Sequence, residues 1–315
     1  MASVDLKFGM IFLSQVVVGI LGNFSLLYHY MSLYFRGCGQ RSTDLILRHL
    51  TVANSLVILS RGIPETMAAL GLRHFAIYFG CNVLLYVHRV ARGVSIGATC
   101  LLSVFQMITI NPNNSSRWVE LKAKAPKYVG PTSILCWALQ LLVNIIFPIY
   151  KAVNLGNKNI TNNRNFGYCH APFYDEVVTP MYAALTSLHD VLCLSLMTWA
   201  SSSMVFILHR HRQQVQRIHR KNHFHRSSPE TRATQSILAL VSTFVTFYAL
   251  SFSIYVYLAV FNKSNWWLMN IAVVITACFP TISPFVLMRH ELTISSFYCI
   301  CCQKATQFSY LIRTM

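Results

Sequence analysis

Seven ionisable side chains interrupt stretches of the sequence that are otherwise apolar. They are Arg61, Glu65, His88, Arg89, Arg92, His189 and Asp190. Guanidinium, imidazole and carboxylate groups in such surroundings pair with one another, line a permeation path or bind a ligand, because an isolated charge away from water is costly. Arg61 and Glu65 are four residues apart, so one helix face can carry both. Which of these uses applies depends on the elements that hold the side chains.

Seven long apolar segments predict those elements. They cover about 8–31, 45–70, 81–110, 131–150, 177–208, 233–261 and 266–288. Each is near or above the roughly 20 residues that a helix needs to cross a bilayer. The chain is 54% hydrophobic and its mean hydropathy is +0.47. The sequence therefore predicts an all-α membrane protein, a single seven-transmembrane-helix bundle over residues 1–315 with a short tail at 289–315.

Lysine and arginine are distributed unequally between the two sides of the predicted bundle. Alternate connections together with the tail carry sixteen of them, whereas the N-terminus and the other connections carry six. Because cytoplasmic flanks carry the Lys and Arg excess, we expect the N-terminus outside and the C-terminus in the cytoplasm. A net charge of +17 can also indicate a nucleic-acid-binding protein, but such proteins concentrate their charge on a soluble surface. We expect contact with membrane lipid and no nucleic-acid partner.

The seven ionisable residues fall in the outer half of the predicted bundle, on its second, third and fifth helices. One interpretation is a ligand site, where three arginines against two carboxylates, with His88 and His189 nearby, would favour neutral or anionic ligands over amines. The other is an internal network in which Glu65 and Asp190 neutralise the arginines and join three helices. A transporter or channel is a third interpretation, which the odd number of helices and the absence of repeats disfavour.

Two cysteines and one asparagine fall on the predicted outer side. Cys81 opens the third helix and Cys169 lies in the loop 151–176, where an oxidising compartment allows a disulfide to persist. Two unrelated free thiols are the alternative. Asn159 begins an Asn-Ile-Thr sequon in the same loop and is the glycosylation site that we expect.

Motifs for catalysis are missing from the sequence. It contains no GxxxxGK[ST], HExxH or GxSxG motif, and its histidines and cysteines do not have the spacing of a metal site. We therefore expect no enzymatic activity, no cofactor and no metal.

Six longer motifs closely resemble those of vomeronasal type-1 receptors. They are RHLTVAN at 48–54, LSRGIPETM at 59–67, HRVARGVS at 88–95, TCLLSVFQ at 99–106, SPETRATQS at 228–236 and FPTISPF at 279–285. The resemblance extends from the first predicted helix through the seventh. It implies a G-protein-coupled receptor of the plasma membrane that senses small pheromone-like molecules. A bitter-taste-like chemoreceptor is the nearest alternative, and the length of the motifs favours the vomeronasal assignment.

The resemblance also implies partners and covalent features. It implies a heterotrimeric G protein of the inhibitory class, a disulfide between Cys81 and Cys169, and a glycosylated second outer loop. The docking surface is expected on the inner segments 111–128 and 209–232, with Arg117, Lys122, Arg210, Arg212, Arg217 and Arg220 as its basic residues. Contact with anionic lipid alone is the alternative for these side chains.

Some positions depart from the related patterns. Asn54 stands where rhodopsin-like receptors usually have the sodium-site Asp, and Phe105-Gln106-Met107 replaces their Asp-Arg-Tyr triplet. Within the vomeronasal pattern, His189 replaces the Pro expected before Asp190. The activation switches of rhodopsin are therefore not carried over to this chain.

Overall fold

The computed structural model describes residues 2–35, 41–69, 78–112, 115–145, 178–218, 229–260 and 267–288. Each described range consists almost wholly of one α-helix. These helices are α1 (Ala2–Phe35), α2 (Ser42–Ala69), α3 (Tyr78–Ile110), α4 (Ser116–Asn144), α5 (Val178–Ile218), α6 (Pro229–Val260) and α7 (Trp267–Met288). The predicted all-α fold with seven helices is thus confirmed for the described part of the chain.

Five of the seven helices, α1, α3, α5, α6 and α7, are long and apolar enough to cross a bilayer. The other two contain more charge. Asp44, Arg48, Arg61 and Glu65 lie in α2, and the first half of α4 is rich in lysine. These charges lower the mean hydropathy without preventing helix formation, because Glu, Lys and Arg are good helix formers.

The start of α4 differs from the prediction. The apolar segment was expected to begin at residue 131, whereas the helix begins at Ser116. The Ser115 carbonyl accepts backbone hydrogen bonds from Trp118 and Val119 at 2.9 and 3.1 Å, which starts the helix. Residues 116–128 read SRWVELKAKAPKY, in which Glu, Leu, Lys and Ala favour a helix although the segment is too polar for a membrane interior. Apolar content alone therefore placed the start of this helix too late.

Helices that follow one another in the chain run in opposite directions. Along α1 and α2, Val16 faces Gly62 and Gly19 faces Ile58, so residue numbers rise on one helix as they fall on the other. We call the end at which α1, α3, α5 and α7 begin the amino-terminal end of the bundle. The opposite end is where α2, α4 and α6 begin.

A buried polar link joins α2, α3 and α7 inside the bundle. The Asn54 amide donates from Nδ2 to Ser283 Oγ at 2.8 Å, and Ser95 Oγ donates to Asn54 Oδ1 at 2.7 Å. All three side chains are buried. Because both ends of the amide are bonded, its burial costs little and the three helices are held in one register.

Apolar side chains fill the interior and also cover much of the exterior. Leu102, Met204 and Leu240 are completely buried in the largest core cluster. On the outer face, Tyr28 of α1 and Phe206 of α5 are 77% and 66% exposed. A bundle that is apolar on both sides of its helices is typical of a protein surrounded by lipid.

Candidate functional site

A cavity of about 190 Å³ lies within the half of the bundle nearer the amino-terminal end. Its walls come from α1, α2, α3, α6 and α7. Six aromatic rings line it, those of Phe12, Phe244, Phe247, Tyr248, Phe252 and Phe279. Pockets between helices, mostly apolar with a few polar groups, are where small ligands bind in bundles. This cavity is therefore the candidate site.

Three of the seven ionisable residues predicted for a ligand site line the cavity. They are Arg61 of α2 and His88 and Arg92 of α3. The other four, Glu65, Arg89, His189 and Asp190, are not among its lining residues. The structure thus divides the predicted set into three residues that line the cavity and four that do not.

Arg92 and Asp190 form an ion pair between α3 and α5. Arg92 Nη2 donates to Asp190 Oδ2 at 2.8 Å, and Tyr248 Oη of α6 donates to the same oxygen at 2.9 Å. The Arg92 guanidinium also lies 5.4 Å from the centre of the Tyr248 ring. One carboxylate therefore orders two side chains of the cavity wall, and it holds α3, α5 and α6 together.

His189 continues this network to α4. Its Nδ1 is 3.3 Å from Asp190 Oδ1, and its Nε2 is 3.0 Å from Gln140 Nε2. A neutral imidazole with the proton on Nδ1 fits both contacts, since it donates to the carboxylate and accepts from the amide. Asn144 Nδ2 in turn donates to Gln140 Oε1 at 3.3 Å. The histidine that departs from the related pattern is thus a link between two helices.

Arg61 and Glu65 form the second ion pair, with Arg61 Nε 3.5 Å from Glu65 Oε1. Both belong to α2, so this pair does not join helices. His88 is buried, and its Nδ1 is 3.5 Å from Ser60 Oγ of α2. Among the described residues of the predicted site, two ion pairs join an arginine to a carboxylate. Of these two, the pair between Arg92 and Asp190 is the one that connects two helices.

The charges near the cavity are therefore compensated locally. Each arginine that lines it, Arg61 and Arg92, has a carboxylate partner. Internal pairing, one of the two alternatives that the sequence left open, is therefore observed for both arginines. The guanidinium groups pair outward with carboxylates, while 32% of the Arg61 side chain and 38% of the Arg92 side chain stay accessible.

The aromatic wall was missed by the sequence reasoning, which followed charge. Phe244, Phe247, Tyr248 and Phe252 are spaced by three, one and four residues on α6. This spacing places them on one face of a helix. The pattern was therefore available in the sequence, although it does not distinguish a cavity wall from a packed core.

The residues predicted for G-protein docking lie in and beyond α4 and α5. Arg117 and Arg210 are exposed, and Lys122 Nζ donates to the carbonyl of Asn111. Arg212 and Arg217 fall in α5, with side chains outside the described set, and Arg220 lies beyond the described residues.

The predicted disulfide and glycosylation site involve side chains outside the described set. Cys81 lies in the first turn of α3 with its side chain outside the described set, and Cys169 and Asn159 lie outside the described residues. Within the described part of the chain, no group of three or more His, Cys, Asp and Glu side chains is placed to hold a metal ion.

A protein-family model and two relatives of known name match most of this chain. The family described as "Vomeronasal organ pheromone receptor family" matches residues 6–300. Vomeronasal type-1 receptor 2 of Homo sapiens is 65% identical over 303 residues, covering 96% of this chain and 76% of that protein. Vomeronasal type-1 receptor 4 of Homo sapiens is 53% identical over 297 residues, covering 94% of this chain and 98% of that protein.

A solved structure has the same fold. Squid rhodopsin superposes with a TM-score of 0.68 at 13% sequence identity, covering 96% of this chain and 88% of that chain. Identity this low supports similarity of fold alone, so residue roles are not transferred from it.

Proposed function

The chain belongs to the vomeronasal type-1 receptor family, and we propose that it is a G-protein-coupled pheromone receptor of the plasma membrane. Its helices make it a multi-pass membrane protein. We place the N-terminus outside and the tail 289–315 in the cytoplasm, which the Lys and Arg excess on alternate connections supports. In this orientation the cavity lies in the outer half of the membrane.

The cavity is the observation that carries this proposal. A ligand inside it would touch α1, α2, α3, α6 and α7 at once. If it fits one arrangement of these helices better than another, its binding shifts the population toward that arrangement. Tyr248 is placed to transmit the change, because it lines the cavity and bonds to Asp190 of α5.

A heterotrimeric G protein of the inhibitory class is the proposed partner at the opposite end of the bundle. The basic residues that we propose for this contact are Arg117, Lys122, Arg210, Arg212, Arg217 and Arg220. The exposure of Arg117 and Arg210 supports docking, since exposed cations attract an acidic partner surface. Anionic lipid headgroups would meet the same side chains when the G protein is absent.

A disulfide and a glycan are the covalent features that we propose for the outer side of the receptor. A disulfide between Cys81 and Cys169 would hold the loop 151–176 over the amino-terminal end of the bundle, and Asn159 in that loop would carry a glycan. Peptide mapping of receptor from a eukaryotic membrane, with and without reduction and deglycosylation, tests both features.

Nucleotide exchange on a purified G protein tests the proposed signalling. The receptor is reconstituted into lipid nanodiscs with an inhibitory-class G protein, and candidate odorants are screened for faster exchange. We expect ligand-dependent exchange, and in cells we expect pertussis toxin to abolish the response. Transport of the same solutes into sealed vesicles without any exchange would indicate a transporter instead.

A pair of substitutions tests whether the ligand occupies the cavity. Ala277→Phe places a ring in the cavity, whereas Ala249→Phe adds the same ring on the exposed face of α6. Only the first is expected to remove the ligand response, with cell-surface levels measured for both. Equal responses of the two variants would place the ligand elsewhere.

A further inference from the structure

Asp190 is not among the residues that line the cavity, yet it orders two that are. Its Oδ2 accepts hydrogen bonds from Arg92 Nη2 at 2.8 Å and from Tyr248 Oη at 2.9 Å. The Asp190 side chain is only 10% exposed, against 38% for Arg92. The carboxylate therefore acts from behind the wall, and the guanidinium and the phenol lie between it and any ligand.

This placement removes free charge from the cavity. Arg92 is neutralised by Asp190 and Arg61 by Glu65, and no carboxylate is among the described residues that line the space. An anionic ligand would have to compete with Asp190 for Arg92 and would leave a buried carboxylate short of its partner. A cationic ligand would find two cations and no free carboxylate.

Arg92 can still bind an uncharged group. A guanidinium has five N–H donors, and Asp190 engages Nη2. Since 38% of the side chain remains accessible and the residue lines the cavity, the other donors can reach a carbonyl or ether oxygen. Such a bond leaves the pair with Asp190 intact.

The volume of the cavity suits a small molecule. A cavity of about 150 Å³ lined by apolar side chains accommodates benzene. The space here is about 190 Å³ and six aromatic rings line it. A single ring with a short substituent, about ten non-hydrogen atoms in all, therefore fits this conformation of the receptor.

We propose that Asp190 determines the charge preference of the receptor, as a positioning residue that neutralises Arg92 and so selects small uncharged ligands with an acceptor oxygen. This assignment rests on the proposed ligand cavity. It narrows the expectation from the sequence, which allowed anionic ligands and placed Asp190 among the residues that contact the ligand. The carboxylate instead excludes anions by occupying the guanidinium that would bind them.

Acetophenone and benzoate provide a matched pair of probes. They have the same shape and size, and a methyl group in the first replaces the charged oxygen in the second. Binding of both to the receptor in phosphatidylcholine nanodiscs is measured by saturation-transfer NMR, with empty nanodiscs as the background. The native receptor is expected to bind acetophenone more tightly than benzoate.

Asp190→Asn removes the negative charge and keeps an oxygen that can accept from Arg92 and Tyr248. The ratio of benzoate to acetophenone affinity is expected to rise by about tenfold, the difference between a charge-assisted and a neutral hydrogen bond. The double variant Asp190→Asn with Arg92→Gln is expected to lose this gain. Ala249→Phe, on the exposed face of α6, changes no charge and no residue that lines the cavity, so it should keep the native preference.

The possible results distinguish a wrong role for Asp190 from a wrong location of the ligand site. Tighter binding of benzoate than of acetophenone by the native receptor overturns the assignment, even if Asp190→Asn does not fold. An unchanged affinity ratio in a folded Asp190→Asn receptor overturns it as well, while leaving the cavity as the ligand site. If neither probe binds the native receptor or any folded variant saturably, the proposed cavity is contradicted and the role of Asp190 with it.

Discussion

Gly93 of α3 is the position where one added methyl group should disturb the network behind the cavity. A Cβ atom at Gly93 would lie 2.1 Å from Oε1, 2.3 Å from Cδ and 2.9 Å from Nε2 of Gln140. The Gln140 amide cannot move freely, because it contacts His189 at 3.0 Å and accepts from Asn144 at 3.3 Å. Gly93→Ala should therefore displace the amide and break these hydrogen bonds.

The size of the effect follows from three contributions. Overpacking costs about 1–3 kcal/mol. Loss of the two Gln140 hydrogen bonds costs about 1 kcal/mol each. Alanine in place of glycine returns about 1 kcal/mol through helix propensity. The free energy of unfolding should thus fall by about 2–4 kcal/mol, which at about 2 °C per kcal/mol lowers Tm by about 4–8 °C.

Thermal unfolding of the solubilised receptor, followed with a thiol-reactive dye, measures this change. Cys100, Cys136, Cys193 and Cys278 lie in helices as free thiols and react as the bundle opens. Gly130→Ala is the matched control, since the nearest atom to its added Cβ is Leu45 Cδ2 at an ordinary 3.6 Å. The control should retain the native Tm or exceed it slightly.

A double-mutant cycle identifies Gln140 as the cause. In a Gln140→Ala background the clash is absent, so Gly93→Ala should cost less than about 1 kcal/mol. The reasoning is refuted if Gly93→Ala and Gly130→Ala have the same Tm, or if Gly93→Ala is equally costly with and without the Gln140 side chain.

Three further predictions concern the core, the cavity and the docking surface. Asn54→Leu should lower the free energy of unfolding by about 2–4 kcal/mol, since it removes two buried interhelical hydrogen bonds. The control Ser55→Ala loses a hydrogen bond within α2 and should cost under about 1 kcal/mol. Equal costs for the two variants would contradict the role of Asn54. Phe244→Ala should lower the free energy of unfolding by about 3–5 kcal/mol and admit ligands with a bulkier ring, because it removes from the cavity wall a residue that is only 5% exposed. Unchanged selectivity for ligand size would show that Phe244 does not border the ligand site. Arg117→Gln with Arg210→Gln should reduce ligand-dependent nucleotide exchange and leave ligand binding intact, since both side chains are exposed away from the cavity; unchanged exchange would exclude them from docking.

The number and place of the helices were predictable because they depend on local composition. Five of the seven predicted segments begin within four residues of an observed helix, as in α7, predicted from 266 and observed from Trp267. Helix α1 begins six residues before its predicted start, at Ala2, and α5 extends ten residues beyond its predicted end, to Ile218. The largest difference is in α4, which begins at Ser116. There, helix propensity continues through a polar segment that apolar content does not mark.

The candidate site was predictable only in part. Charge in an apolar segment singled out Arg61, His88 and Arg92, which line the cavity. The same criterion also selected Glu65 and Asp190. These two carboxylates do not line the cavity but pair with the arginines that do. It could not select Phe247, because an aromatic ring on an apolar helix face has the same pattern whether it meets a cavity or another helix.

The sequence by itself determined that the chain forms seven helices, that most of them suit a bilayer, and which motifs it shares with vomeronasal type-1 receptors. The tertiary structure alone decided which side chains meet, such as Arg92 and Asp190, 98 residues apart. The physical reason is that apolar content and helix propensity act between near neighbours. The rotation of each helix about its axis, by contrast, is set by packing against the others, and that rotation determines which residues face the cavity.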